Sequence, residues 1–149
     1  MKKLCLILTI MIGILLGNSC LAQELTEAGP TSLGVLYVDV SSAQSVSKEG
    51  KLYLAVAAEE RYTDQEYLAS LRQDEDLRDA VGAVYLYLFD NRGANYCVAA
   101  HYIVNEAGKV CVDMGSDWQL RPTVGKKALL EAYTKALQAL ERKRRWQQR

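Results

Sequence analysis

Three residues in the second half of the chain carry side chains that together could do chemistry. Cys111, His101 and Asp113 offer a thiol, an imidazole and a carboxylate. In a nucleophilic set of this kind the imidazole activates the thiol and the carboxylate orients the ring. If strands Asn95–Asn105 and Lys109–Met114 are joined by Glu106-Ala107-Gly108, Asn105 pairs with Lys109. His101 then lies opposite Asp113, with Cys111 on the diagonal of the same face. The alternation groups these residues with Tyr85, Tyr87, Phe89, Cys97, Ala99 and Ile103. Two readings follow. One is a thiol-dependent hydrolase or transferase. The other makes His101 and Asp113 a surface pair and the cysteines small apolar fillers, leaving Tyr85, Tyr87 and His101 as contacts for a ligand or partner. The mid-strand positions favour the second, because catalytic groups concentrate in loops and at element ends.

Other chemistries fail on spacing. Gly125-Lys126-Lys127 sits at a helix start, but a phosphate loop needs a glycine at the place of Leu120 and a hydroxyl at the place of Lys127. One histidine and widely spaced cysteines give no zinc-ligand pattern. Asp74, Glu75, Asp76 and Asp79 lack the ligand order and glycine of a calcium loop and read as a solvated helix start. Glu59 and Glu60 have no identifiable partner carboxylate. The reading includes no metal and no cofactor.

The elements that must position these residues read as a single α+β domain over residues 33–146. Leu33–Val40 and Lys51–Ala57 read as strands separated by a polar turn, Ser41–Gly50. Thr63-Asp64-Gln65-Glu66 reads as a capping box opening a helix with Tyr67, Leu68 and Leu71 inward. Asp74 caps a second turn. Ala83–Phe89, Asn95–Asn105 and Lys109–Met114 form a three-strand meander, and Trp118–Pro122 is a connection. Leu129, Ala132, Tyr133, Ala136, Leu137 and Leu140 recur at three- and four-residue steps, the mark of a final amphipathic helix. The order β-β-α-β-β-β-α predicts a mainly antiparallel sheet of about five strands with helices on one face. The face bearing Val84, Leu86, Leu88, Val98, Ala100, Val104, Val110, Val112 and Met114, with Tyr96 and Tyr102, is the one expected under the helices.

The two ends differ from the body. Lys2 and Lys3 precede an apolar run from Leu4 to Leu16, followed by Gly17, Asn18 and Ser19. That is the layout of a secretory signal, and it resembles bacterial export signals. The run is too short for comfortable spanning, which takes about 20 apolar residues. Residues 1–22 therefore read as a signal, with Gln23 first after the cut. Lipidation of Cys20 is the alternative, although Gly17 stands where a lipobox carries leucine, and an uncleaved anchor is a third. Residues 23–32 read as a short tether. Residues 23–140 hold 11 Lys and Arg against 17 Asp and Glu, which argues against nucleic-acid binding. The end of the chain reverses this with Arg142, Lys143, Arg144 and Arg145 beside Trp146, and a short basic terminus at 147–149. Such a cluster could rest on anionic lipid or an acidic partner, or simply complement the carboxyl end of a helix.

Together these features point to an exported bacterial-type protein, periplasmic, secreted or lipid-anchored. The expected role is a non-enzymatic binding or accessory module of the cell envelope, contacting a protein or small ligand.

Overall fold

A computed structural model describes residues 24–148. The proposed signal at 1–22, Cys20 and Arg149 lie outside the described residues. The remaining chain forms one antiparallel sheet of six strands in sequential order, with two helices. The strands are β1 (Leu25–Pro30), β2 (Gly34–Lys48), β3 (Lys51–Tyr62), β4 (Ala80–Asp90), β5 (Asn95–Asn105) and β6 (Val110–Pro122). Helix α1 (Gln65–Leu71) and a 3-10 turn (Glu75–Leu77) join β3 to β4, and α2 (Lys127–Gln147) closes the chain. Strands joined by tight turns pair as neighbours, and the connection through α1 returns β4 to the side of β3, which completes the meander. Among the described residues no helix is long and apolar enough to cross a membrane.

The α+β class and the antiparallel sheet agree with the sequence reading; the strand count and several boundaries do not. The expected tether is the edge strand β1, paired with β2 from Leu25↔Asp39 to Pro30↔Val35. The expected polar turn Ser41–Gly50 is mostly strand, and only Glu49 and Gly50 turn. Its serines serve a bulge in β2 between Asp39 and Gln44. Ser41 N–H donates to Asp39 Oδ1 at 3.0 Å, and Ser42 Oγ donates to the Asp39 carbonyl while accepting from Ala57 N–H. A polar stretch can thus be strand when its hydroxyls satisfy a bulge. Trp118–Pro122 continues β6. The cap of α1 is Asp64, whose carboxylate accepts from Tyr67 N–H at 2.7 Å, one residue later than the capping box implies.

The largest correction concerns the faces. Helix α2 covers the side bearing Leu36, Val38, Leu54, Val56, Tyr87, Phe89 and Tyr96. It does so with a stripe of small residues, Ala128, Ala132, Ala136 and Ala139, plus Leu129. Tyr133, Leu137 and Leu140 pack at its flanks. Small side chains bring the helix axis close to the sheet, so the bulky aromatic groups can come from the strands. Gly93 adopts a left-handed φ of 67° in the β4–β5 loop, and a Cβ there would meet the Tyr133 ring at 2.4 Å.

The face expected under the helices is instead buried by the sheet itself. Ala55, Leu86, Leu88, Cys97, Ala99, Ala100, Tyr102 and Val104 form a second core, packed by Val46, Tyr53 and Trp118. Strands β2 and β6 stand four places apart, about 19 Å in a flat sheet, yet Lys48 Nζ lies 3.6 Å from the Trp118 ring centre. The sheet therefore curls, and the alanines on its concave face leave room for it to do so.

Candidate binding site

Strand register decides which chemistry-bearing residues meet. Along β4–β5 the pairing runs Leu86↔Ala100 and then Tyr87↔Val98, so Ala99 is an extra, bulged residue. The bulge transfers Cys97 to the concave core and leaves His101 on the helix side, directly opposite Tyr85. Along β5–β6 His101 faces Gly115, and Asp113 faces Tyr102. The expected His101–Asp113 pairing is therefore corrected. Gly115, at φ 79°, forms one of several register shifts that displace β6. Asp113 Oδ1 instead accepts from Gly115 N–H at 2.7 Å.

Cys111 lies between the paired residues Val110 and Val112 and packs against a third apolar cluster with Tyr62, Leu71, Ala83 and Ile103. Its thiol donates to the Lys109 carbonyl at 3.9 Å. Cys97 and Cys111 are both free. They occupy different cores, and burial pushes the Cys97 thiol above its ordinary range. The thiol–imidazole–carboxylate chain that a nucleophilic set requires is not assembled among the described residues.

What the fold does bring together is a ring stack on a buried carboxyl group. Tyr85 and His101 stack at 4.5 Å between centroids, and Tyr85 and Tyr87 at 5.2 Å. Tyr87 is buried against Phe89 and Tyr96 and belongs to the core, whereas Tyr85 and His101 are half-buried. Glu60 enters from β3, only 6 % exposed. One of its oxygens accepts from the Tyr85 hydroxyl at 2.9 Å and the other from the Thr31 hydroxyl. Tyr85 touches both the α2-side core and the cluster beneath α1, so the group lies where the two meet.

The electrostatics follow from burial. Tyr85, Tyr62 and Tyr87 are all raised above the ordinary phenol range, first by loss of solvent and then by neighbouring charges, Glu60 among them. Burial pushes the His101 imidazole below its usual range, with Glu60 and Asp113 pulling in the opposite direction. His101 Nε2 is buried and has no hydrogen-bond partner among the described residues.

Glu60 is a site residue that the sequence reading sets aside for want of a partner carboxylate. Its signal was present: Leu54, Val56, Ala58, Glu60 and Tyr62 alternate onto one face of β3, which places a carboxyl group on an apolar stripe.

The basic end has a structural use. Lys143 Nζ donates to the carbonyls of Ser41 and Ala43, and Arg144 donates to Ser45 Oγ at 2.8 Å. These bonds tie the last turns of α2 to the β2 bulge. Arg142 and Arg145 are exposed, and Trp146 is 75 % exposed. Helix α2 runs on to Gln147, so the cluster from Arg142 to Trp146 is helical, whereas of the expected terminus at 147–149 Gln147 alone belongs to the helix.

No group of three or more His, Cys, Asp or Glu side chains suited to a metal occurs among the described residues. No family model, curated protein or solved structure matches this chain.

Proposed function

We propose that this protein is an exported, non-enzymatic binding or accessory module of the cell envelope. Its contact for a protein or small ligand is the half-buried pair Tyr85 and His101, backed by Glu60. The observation that carries the reading is His101 Nε2, buried beside a carboxyl group and lacking a partner among the described residues. An unsatisfied buried polar atom costs about 1–3 kcal/mol, and such atoms in native folds call for an explanation beyond stability. Export rests on the charged, apolar and small-residue succession of the first 22 residues.

His101 is the only histidine, so its imidazole 15N signals need no assignment. The mature domain is titrated with size-fractionated envelope extract while those signals are followed. The expected result is a fraction, then an isolated component, that shifts Nε2 in the parent and loses affinity for the Tyr85→Phe variant. A bound component that leaves the imidazole unmoved, or no active fraction at all, overturns the reading. Mass spectrometry of the native amino terminus tests export: Gln23 or a lipidated Cys20 is expected, and an intact Met1 in the cytoplasm contradicts it.

A further inference from the structure

A second place in the fold presents charged groups that the protein itself leaves unused. An open cleft of about 650 Å³ lies at the end of the sheet remote from the β4–β5 loop. Arg72, at the carboxyl cap of α1, and Arg78, at the end of the 3-10 turn, line it together with Asp79. Ala80, Val81, Asn105, Glu106 and Ala107 complete it.

Backbone geometry builds the apolar part. The pairing passes from Ala80↔Asn105 to Gly82↔Val104, so Val81 is the extra residue of a bulge, and it is 41 % exposed at the cleft. Bulges re-aim side chains in this way and recur beside functional sites. Asn105 is fixed by its own hairpin. Its side-chain oxygen accepts from Ala107 N–H at 3.0 Å and Lys109 N–H at 2.9 Å. The amide NH2 of Asn105 is thereby left as a positioned donor.

The cleft carries charges of both signs, all on exposed side chains. Arg72, Arg78, Asp79 and Glu106 make no side-chain ion pair or hydrogen bond among the described residues, with one another or with anything else. Two guanidinium groups and two carboxylates thus share one cleft without neutralising each other. A simple anion would be drawn to the arginines and repelled by the acids, and a simple cation the reverse. A ligand bearing both signs satisfies both sets at once.

We infer that this cleft binds a small zwitterion. Its carboxylate is held by Arg72 and Arg78, its ammonium group by Asp79 and Glu106, and its body rests on Val81 and Ala107. The site is independent of Tyr85 and His101.

The test uses the mature chain and the dipeptide Ala-Ala as probe, followed by amide chemical shifts. Saturable shifts at Val81, Asn105 and Ala107 are expected. Acetyl-Ala-Ala, which lacks the ammonium group, and Ala-Ala amide, which lacks the carboxylate, each bind about tenfold or more weakly. The exposed substitutions Arg72→Gln and Arg78→Gln produce a comparable loss, while Met114→Ala, at an exposed position that does not line the cleft, leaves the affinity unchanged. Absence of saturable shifts, equal binding of the blocked peptides, or full affinity in the Arg72→Gln/Arg78→Gln double variant overturns the inference.

Discussion

Strands β3 and β4 pair without a slip over nine residues, from Tyr53↔Asp90 to Arg61↔Gly82. Strands β5 and β6, next in the same sheet, change register at four places. The difference lies in what a slip would cost. In β3 and β4 both faces are buried, by α2 on one side and the curled sheet on the other. Moving one residue there would exchange the contents of two cores, so the register is strongly fixed. In β6 residues 113–116 are exposed, and Asp113 and Asp117 bond to the backbone of their own strand. A slip there exposes almost nothing new. Irregularity on an edge also blunts pairing with other chains.

The largest effect that would break this comparison is a core truncation. Phe89 is 0 % exposed at the centre of the ordered half, so Phe89→Ala should cost about 3–5 kcal/mol. Met114, in the irregular half, is 55 % exposed, and Met114→Ala should stay within about 0.5 kcal/mol. Urea unfolding of the two variants measures both. Similar losses would mean that β6 is as firmly specified as β4.

The next test adds volume instead of removing it. Ala136 is fully buried where α2 meets the sheet. Ala136→Leu should destabilise by about 1–3 kcal/mol through overpacking. A neutral result in the same unfolding assay would show that the helix can lift from the strands.

A third test uses the phenols clustered around Glu60. Tyr62, Tyr85 and Tyr87 are raised in the folded state. Unfolded phenols ionise near pH 10. The stability these groups contribute is complete below that pH and is lost as the pH climbs above it, because the unfolded chain releases protons that the folded chain retains. Midpoints measured from pH 8 to 11 should fall at the alkaline end, and less steeply in Tyr85→Phe. That variant should also lose about 1–3 kcal/mol near neutrality, since one Glu60 oxygen forfeits its donor.

The smallest effect is at His101, on the border between the two regions. Its pKa is lowered, mainly by burial. The unfolded chain therefore takes up a proton near pH 6.5 that the folded chain resists. Stability is complete above that pH and declines as the pH falls below it. His101→Asn should flatten the profile between pH 7 and 5. An unchanged slope would place the acid sensitivity elsewhere.

Much of the secondary structure was legible locally. The inward face of α2, the strand at Asn95–Asn105, the Asp74-capped turn and the hairpin loops follow from periodicity and turn residues close in sequence. Less legible were features whose cause lies far along the chain. Ser41 and Ser42 look like a turn until Asp39 and Ala57 take up their hydrogen bonds. The candidate thiol set rests on a regular β5–β6 ladder, and among the shifts that disperse it the one at Gly115 carries a signature in residue type. The sequence reading puts Tyr85 and His101 on one face, where their rings stack, but takes that face to be open.

The amino-acid sequence by itself determined that this chain forms a mainly antiparallel sheet with a final amphipathic helix, because alternation, turn chemistry and helical periodicity are local properties. Only the tertiary structure decided which side of the sheet the helix covers. Both sides of β4 are apolar, Tyr85, Tyr87 and Phe89 on one and Leu86 and Leu88 on the other, so alternation alone cannot choose between them. The choice fell to long-range packing, with the alanine stripe of α2 receiving the aromatic side and the alanines of β3 and β5 letting the sheet curl over the aliphatic side. That same choice placed Glu60 beneath Tyr85 and left His101 Nε2 without a partner among the described residues.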